Sequence, residues 1–178
     1  DAPRIPREVL ELGIPVLGIC YGMQLVADLL GGKVGRSEDR EYGVASIRGQ
    51  WGSPLFLGIE EFRHDMEIPV WMSHGDRIDD LPKGFSSIAR SGSSPVAAMS
   101  NHEGTIFGVQ FHPEVVHTPR GTEILANFLF RICGLSPNWT MHSFVESSVK
   151  KIREKTGSER VVLGLSGGVD SSVAAVLL

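Results

Sequence analysis

Apolar positions recur along this chain with two different periods, and the changes of period divide it into elements. A short helix is predicted over 6–12, with Pro6 at its first turn and Gly13 just past its end. The apolar run 15–19 suits a buried parallel strand. After the turn Cys20-Tyr21-Gly22, the residues Met23, Val26, Leu29 and Leu30 recur at helical spacing until Gly31-Gly32 stop them. From 33 to 111 the pattern is mostly strand-like, clearest at 42–48, 68–72, 85–89, 96–100 and 105–111. The last two runs are joined by Asn101-His102-Glu103-Gly104, a hairpin-turn composition. A helix over 120–133 follows, with the stripe Ile124, Leu125, Phe128, Leu129 and Ile132 and with Gly134 as its cap. Leu135-Ser136-Pro137-Asn138 has linker composition, and a linker is placed at 135–140. Beyond it the pattern restarts as a helix over 141–155, a strand over 160–165, a glycine turn and another helix. Strand, glycine turn, helix is the opening of a nucleotide-binding α/β domain.

Composition narrows the class. At 178 residues the chain suits one domain, or one domain and part of another. A hydrophobic fraction of 42% with 21% charged residues supports a packed core. The net charge of −4 argues against a nucleic-acid binder. Two cysteines are too few for a disulfide framework and suit the reducing cytoplasm. No apolar run reaches the roughly 18 residues of a membrane helix. Glycine is in excess, at 21 of 178 residues, which implies tight turns or close approaches of backbone to ligand. The chain opens on Asp1-Ala2-Pro3 and closes on an apolar helical run without a stop signal, so it is expected to be an excised piece of a longer one.

Candidate chemistry centres first on Gly18-Ile19-Cys20-Tyr21-Gly22-Met23-Gln24. A strand that turns sharply into a helix with a nucleophile at the apex is a nucleophile elbow. Gly18 and Gly22 flank the cysteine where side chains are expected to crowd the turn. The helix N-terminus favours a thiolate, and its N–H groups can receive an oxyanion. Lowering a thiol from a pKa of about 8.5 by about two units makes thiolate the major form at neutral pH, a shift worth about 2.7 kcal/mol. A cysteine nucleophile needs a base and an orienter. His112, just past a predicted strand in Phe111-His112-Pro113-Glu114, is the candidate base, and Glu114 is placed to fix its tautomer. Sequence alone leaves open whether Cys20 and His112 touch. Cys133 ends an apolar stripe and reads as packing. His64, His102, His117 and His142 read as surface residues, and no Cys/His spacing suggests zinc.

These paired motifs resemble the class I glutamine amidotransferases over roughly 1–134. The resemblance implies an α/β fold: a flavodoxin-like mixed sheet with helices. It also implies a Cys20-His112-Glu114 triad that hydrolyses the side-chain amide of glutamine through a glutamyl thioester. Tyr21 N–H would serve the oxyanion, and Gln24 would help seat the substrate. Ser73-His74-Gly75-Asp76, after the strand ending near Met72, resembles a segment that grips glutamine, with Asp76 pairing with the α-ammonium; the alternative is an exposed strand-end loop. In this family an earlier Gly-Gly-Pro-like loop supplies a second oxyanion donor. The chain begins after that point, so its first domain is expected to be N-terminally truncated. Loss of one such donor typically costs about 10²–10³ in rate. The 178 residues alone are therefore expected to be a poor glutaminase or not to fold stably.

The second motif is Val161-Val162-Leu163-Gly164-Leu165-Ser166-Gly167-Gly168-Val169-Asp170-Ser171-Ser172. Small residues ahead of a helix let backbone N–H groups approach phosphate oxygens. The Gly-Lys-Ser/Thr of a Walker loop is missing. The string resembles the pyrophosphate loop of the N-type ATP pyrophosphatases, the first strand-loop-helix of an adenine-nucleotide α-hydrolase-like domain over 141–178, C-terminally truncated. It implies that Ser166, Gly167, Gly168, Val169, Ser171 and Ser172 hold ATP and that Asp170 helps position magnesium. The basic run Lys150, Lys151, Arg153 and Lys155 reads as a solvated helix end capped by Gly157.

A glutaminase followed directly by such a loop resembles the family of glutamine-hydrolysing GMP synthases. That resemblance implies a ligase of purine biosynthesis in which glutamine-derived ammonia displaces AMP from adenylated xanthosine monophosphate. Its xanthosine-monophosphate site and dimerisation domain would lie after Leu178, and the full-length protein would be a homodimer without nucleic-acid or membrane partners. Two alternatives stay open: another cysteine hydrolase on the same scaffold, such as a γ-glutamyl peptidase, and a non-catalytic binding module.

Overall fold

A computed structural model describes residues 2–138 and 140–178, with side chains at all of these except 37–40. Two compact units divide the chain, Asp1–Leu135 and Ser136–Leu178. Position 139 of the expected linker lies outside the described residues.

In the first unit a mixed sheet is built from β1 (Val16–Ile19), β2 (Lys33–Gly49), β3 (Ile68–Asp80), β4 (Phe85–Ser91), β5 (Ala98–Asn101) and β6 (Ile106–Val109). The spatial order is β1-β6-β5-β4-β2-β3. β1 runs parallel to β6, with Ile19 opposite Val109, and the remaining pairs are antiparallel. The helices are α1 (Tyr21–Leu29), α2 (Glu60–Arg63) and α3 (Gly121–Ala126). α1 is the helix expected after the Cys20 turn, and Gly31 ends it at φ 87°. The stretch 7–11 is a 3₁₀ turn rather than an α-helix.

Alternation sorts the core onto two faces. Ala98, Phe107 and Val109 join Ile47, Val70, Met72, Phe111, Ile124 and Phe128 in one buried cluster. Met99 and Ile106 join Met23, Val26, Ala27 and Ile78 in another. β6 is buried at all four positions, as a strand covered on both faces should be. Gly108 lets α1 settle on it: a Cβ there would lie 2.7 Å from Met23 Cγ.

Two expectations are corrected here. The strand predicted at 68–72 does not end there but runs on to Asp80, so Ser73 to Asp76 belong to β3 and not to a loop. Ile68, Val70, Met72, His74 and Ile78 are its buried positions, and the polar His74 in that series hides the period. The helix expected over 120–133 is α-helical only to Ala126 and continues as a π-helix over Asn127–Ile132. Buried Asn127 explains the change of pitch: its Nδ2 donates to the carbonyls of Leu55 (3.1 Å) and Leu57 (2.8 Å), tying the helix to a neighbouring loop.

The second unit contains α4 (Met141–Thr156) and α5 (Val169–Leu177). Thr140 and Ser143 cap α4 reciprocally, and Gly157 ends it at φ 55°. No residue of either helix is buried. The strand expected at 160–165 is not formed, and Val161, Val162, Leu163 and Leu165 are exposed. A strand exists only as a pairing, and no described residue of this unit offers a partner. Among the described residues, no helix is long and apolar enough to cross a membrane.

Candidate active site

Cys20 stands at the junction of β1 and α1 with φ 51° and ψ −108°, a conformation rare for a residue with a Cβ. Such backbone costs about 1–3 kcal/mol and persists where its surroundings enforce it. Here Cys20 N–H donates to Val109 O (2.8 Å), while Met23 N–H and Gln24 N–H donate back to Cys20 O (3.1 and 3.3 Å). Gly18 is required: a Cβ there would lie 2.7 Å from the backbone of Gly22 and Met23. Gly22 is not, because a Cβ there meets nothing within 4 Å. Of the two flanking glycines, only the first relieves crowding, and the atoms it would strike are the main chain of the second.

His112 arrives from the other side of the β1–β6 pair. Its Nδ1 lies 2.7 Å from Glu114 Oε1, so Nδ1–H donates to the carboxylate and Nε2 keeps its lone pair. The turn is held by β3. His112 N–H donates to Trp71 O (2.9 Å), Trp71 N–H donates to Thr118 Oγ1 (3.0 Å), and the Thr118 hydroxyl donates to His112 O (2.6 Å). The His117 ring stacks on Trp71 at 4.6 Å. Gly121 permits the turn, since a Cβ on it would fall 1.9 Å from Pro113 O. Two residues along β3 from Trp71, Ser73 O lies 3.7 Å from Cys20 Sγ. β1 and β3 are opposite edges of the sheet, so the sheet curls to bring Cys20 and the His112 turn onto one short stretch of β3.

Sequence reasoning missed Gln110. It is fully buried at the end of an apolar run, and its Nε2 donates to Cys20 Sγ (3.8 Å). The buried Gln24 amide donates to Gln110 Oε1 (3.1 Å) and to Asp76 O (3.0 Å), so it links thiol and β3 through main-chain and amide partners. The only available signal was a polar residue inside an otherwise apolar period.

The thiol's acidity also departs from expectation. Burial pushes the Cys20 thiol up; the Tyr21 N–H and the Gln110 amide pull it down by less, and the Glu114 charge adds to the rise. Desolvation therefore outweighs the two donors that face the thiol. Alkylation of Cys20 by iodoacetamide is expected to show an inflexion above that of an ordinary cysteine, moved higher by Gln110→Met. An inflexion below the ordinary value would show that the helix dipole dominates. Cys133 is half-buried, packs against the core, and is likewise raised by burial. His64, His102, His117 and His142 are exposed. Among the described residues no cluster of histidine, cysteine or carboxylate suits a metal ion.

In the second unit Gly167 adopts φ 83° and Gly168 caps α5. Ser166 Oγ and Ser171 Oγ are 3.1 Å apart, Gly168 N–H donates to Ser166 Oγ (3.4 Å), and the hydroxyls of Ser171 and Ser172 donate to Gly168 O (3.0 and 2.9 Å). The first-turn N–H groups at 169–171 point out of the helix end beside an open glycine turn, which fits an anion of phosphate type. Asp170 is exposed in the same turn.

Known proteins resemble this chain in both of its units. Residues 1–132 match the family described as Glutamine amidotransferase class-I, and residues 141–178 match NAD synthase. A GMP synthase [glutamine-hydrolyzing] of Thermomicrobium roseum is 56% identical across 100% of this chain and 32% of its own length. One from Acetivibrio thermocellus is 55% identical across 99% of this chain and 34% of its own length. The chain thus spans about a third of the curated relatives it matches. Among solved structures, a candidate GMP synthase subunit from Thermoplasma acidophilum superposes with TM-score 0.64 at 30% identity, over 82% of this chain and 64% of that one. A glutamine amidotransferase from Thermotoga maritima gives 0.53 at 27% identity, over 83% of this chain and 59% of that one.

Proposed function

Because the chain belongs to the class-I glutamine amidotransferase family, we propose that 1–134 is the glutaminase domain of a glutamine-hydrolysing GMP synthase. Past a linker at 135–140, residues 141–178 begin its ATP pyrophosphatase domain. The observation that carries this reading is the order of two sites on one chain: an elbow cysteine beside a His-Glu pair, then a serine-glycine turn opening a helix. A γ-glutamyl peptidase on the same scaffold has no use for the second.

Glutamine hydrolysis follows from the first site's groups. His112 Nε2 takes the Cys20 proton as Sγ attacks the carboxamide carbon. Charge on the carboxamide oxygen is met by Tyr21 N–H. Collapse of that intermediate breaks the C–N bond, with the His112 proton leaving on ammonia and the glutamyl group left as a thioester. His112 then takes a proton from water as it attacks, and glutamate departs. Glu114 holds the ring in the tautomer this needs. Asp76, exposed on β3, offers a carboxylate to the substrate's α-ammonium, and Gln24 lines the same wall from its buried position. In the second domain Ser166, Gly167, Gly168, Val169, Ser171 and Ser172 would hold ATP phosphates, with Asp170 positioning magnesium. The ion neutralises phosphate charge when bound. There xanthosine monophosphate is adenylated with release of pyrophosphate, and ammonia displaces AMP. A chain with two cysteines, both free, suits the reducing cytoplasm, where the protein is placed.

Full-length protein given amide-15N glutamine, ATP, magnesium and xanthosine monophosphate is expected to yield 15N-labelled GMP with equal amounts of AMP, pyrophosphate and glutamate. Glutamate release without pyrophosphate dependent on xanthosine monophosphate would favour the peptidase-like hydrolase.

A further inference from the structure

Buried His74 and half-buried Glu41 form a titratable pair that the reaction above does not use. His74 lies on β3, two residues before Asp76, and only 5% of it is exposed. Its Nδ1 is 3.0 Å from Asp76 O. A carbonyl only accepts, so Nδ1 carries the hydrogen and donates. On the far side of the ring, Nε2 lies 3.0 Å from Glu41 Oε2, off the line of a well-formed hydrogen bond. Neither buried atom has another partner among the described residues. Glu41 is fixed in turn by Ser91, whose hydroxyl donates to Oε1 (3.3 Å).

Asp76 O therefore receives two buried donors, His74 Nδ1 and Gln24 Nε2, each at 3.0 Å. Both lone pairs of that carbonyl are occupied. The Asp76 carboxylate is exposed and has no partner among the described residues. The main chain of this residue is held from inside the unit, while its carboxylate is exposed and meets no side chain among the described residues.

We infer that His74, braced by Glu41, is a positioning residue that holds Asp76 in place for the α-ammonium of glutamine. It acts on recognition of the amino-acid end and not on the chemistry at Cys20. The inference rests on the reading of Asp76 as the α-ammonium partner, and the test separates the two.

The variants are made in the full-length protein, and two rates are compared. Glutamine turnover reads recognition plus chemistry. Alkylation of Cys20 by iodoacetamide reads the thiol alone, since that probe has no α-ammonium. His74→Phe is expected to raise the glutamine KM by about 10- to 100-fold, the range for losing a hydrogen bond that serves a charged contact. Its kcat and its iodoacetamide rate should stay within about threefold of the parent. His74→Asn, whose Nδ2 sits near the Nδ1 position and keeps a donor for Asp76 O, should recover most of the KM. An unchanged KM in His74→Phe, or an equal fall in the iodoacetamide rate, overturns the inference. Should His74→Phe not fold, Glu41→Leu carries the same comparison with the same two outcomes. Asp76→Asn tests the underlying reading. If it leaves KM unchanged, Asp76 is not the α-ammonium partner. If it raises KM while the His74 and Glu41 variants do not, the inference alone fails.

Discussion

Replacing Cys20 with alanine in the full-length protein is expected to remove glutamine-dependent GMP formation by on the order of 10⁴–10⁶-fold, the range seen when a covalent nucleophile is deleted. Formation of GMP from added ammonium salts should persist near the parent rate. The asymmetry follows from the chemistry. In the proposed division of labour, Cys20 serves only to split the carboxamide, and the step that consumes ammonia is assigned to the site opened by Ser166 to Ser172. Alanine also suits the position, because it removes the sulfur while keeping a Cβ that the strained φ of 51° already accommodates. The measurement is a pair of steady-state rates, one with glutamine and one with ammonium chloride at alkaline pH. Glutamine-dependent synthesis within tenfold of the parent would exclude Cys20 as nucleophile. Equal loss of both activities would mean that the two reactions do not divide between sites as proposed.

Gly121→Ala is the second large effect. A methyl group on Gly121 would sit 1.9 Å from Pro113 O, far inside contact distance, and the atoms it meets are main chain. Either α3 or the turn carrying His112 and Glu114 has to move. Overpacking of this kind costs about 1–3 kcal/mol. A misplacement of roughly 1 Å at a catalytic base lowers turnover by about 10²-fold. Glutaminase kcat should therefore fall together with the melting temperature, while ammonium-dependent synthesis is spared in the molecules that remain folded. Retention of both kcat and melting temperature would show that Pro113 can shift freely, and that the turn is less tightly held than its bonds to Trp71 and Thr118 imply.

Much of the site was legible because its chemistry is local. A strand, a cysteine, a glycine two residues before it and a helical apolar stripe lie within one short run, and the structure builds an elbow from them. His112 and Glu114, two residues apart, form their pair within a single turn. What stayed hidden depends on distant backbone. Nothing adjacent to Gly121 in the sequence announces Pro113. Gln110 acquires its meaning only when Gln24 and Cys20 pack against it. β3 seemed to end at Met72 because His74 is polar, yet its burial against Glu41 is what continues the inward-facing series. The change to π pitch at Asn127 arises from carbonyls at Leu55 and Leu57, far away in sequence. The thiol ran contrary to expectation because the elbow is legible but its desolvation is not. The strand expected at 160–165 is not formed despite its apolar composition, because strand pairing needs a second chain segment that the described residues of that unit do not provide.

β3 is an outer strand of its sheet, and outer strands carry a row of unsatisfied donors and acceptors that invite another chain to pair. Proteins commonly blunt such rims with charge, proline or a covering segment. Here the cover is the turn from His112 to Thr118, which takes both the N–H and the C=O of Trp71, with the Cys20 thiol lying over Ser73 O. In the proposed reading, the bonds that seat the candidate base on β3 also occupy main-chain groups of an outer strand that would otherwise stay open to pairing. Unseating the turn would therefore be expected to expose the Trp71 main-chain groups to pairing in the same event that displaces His112.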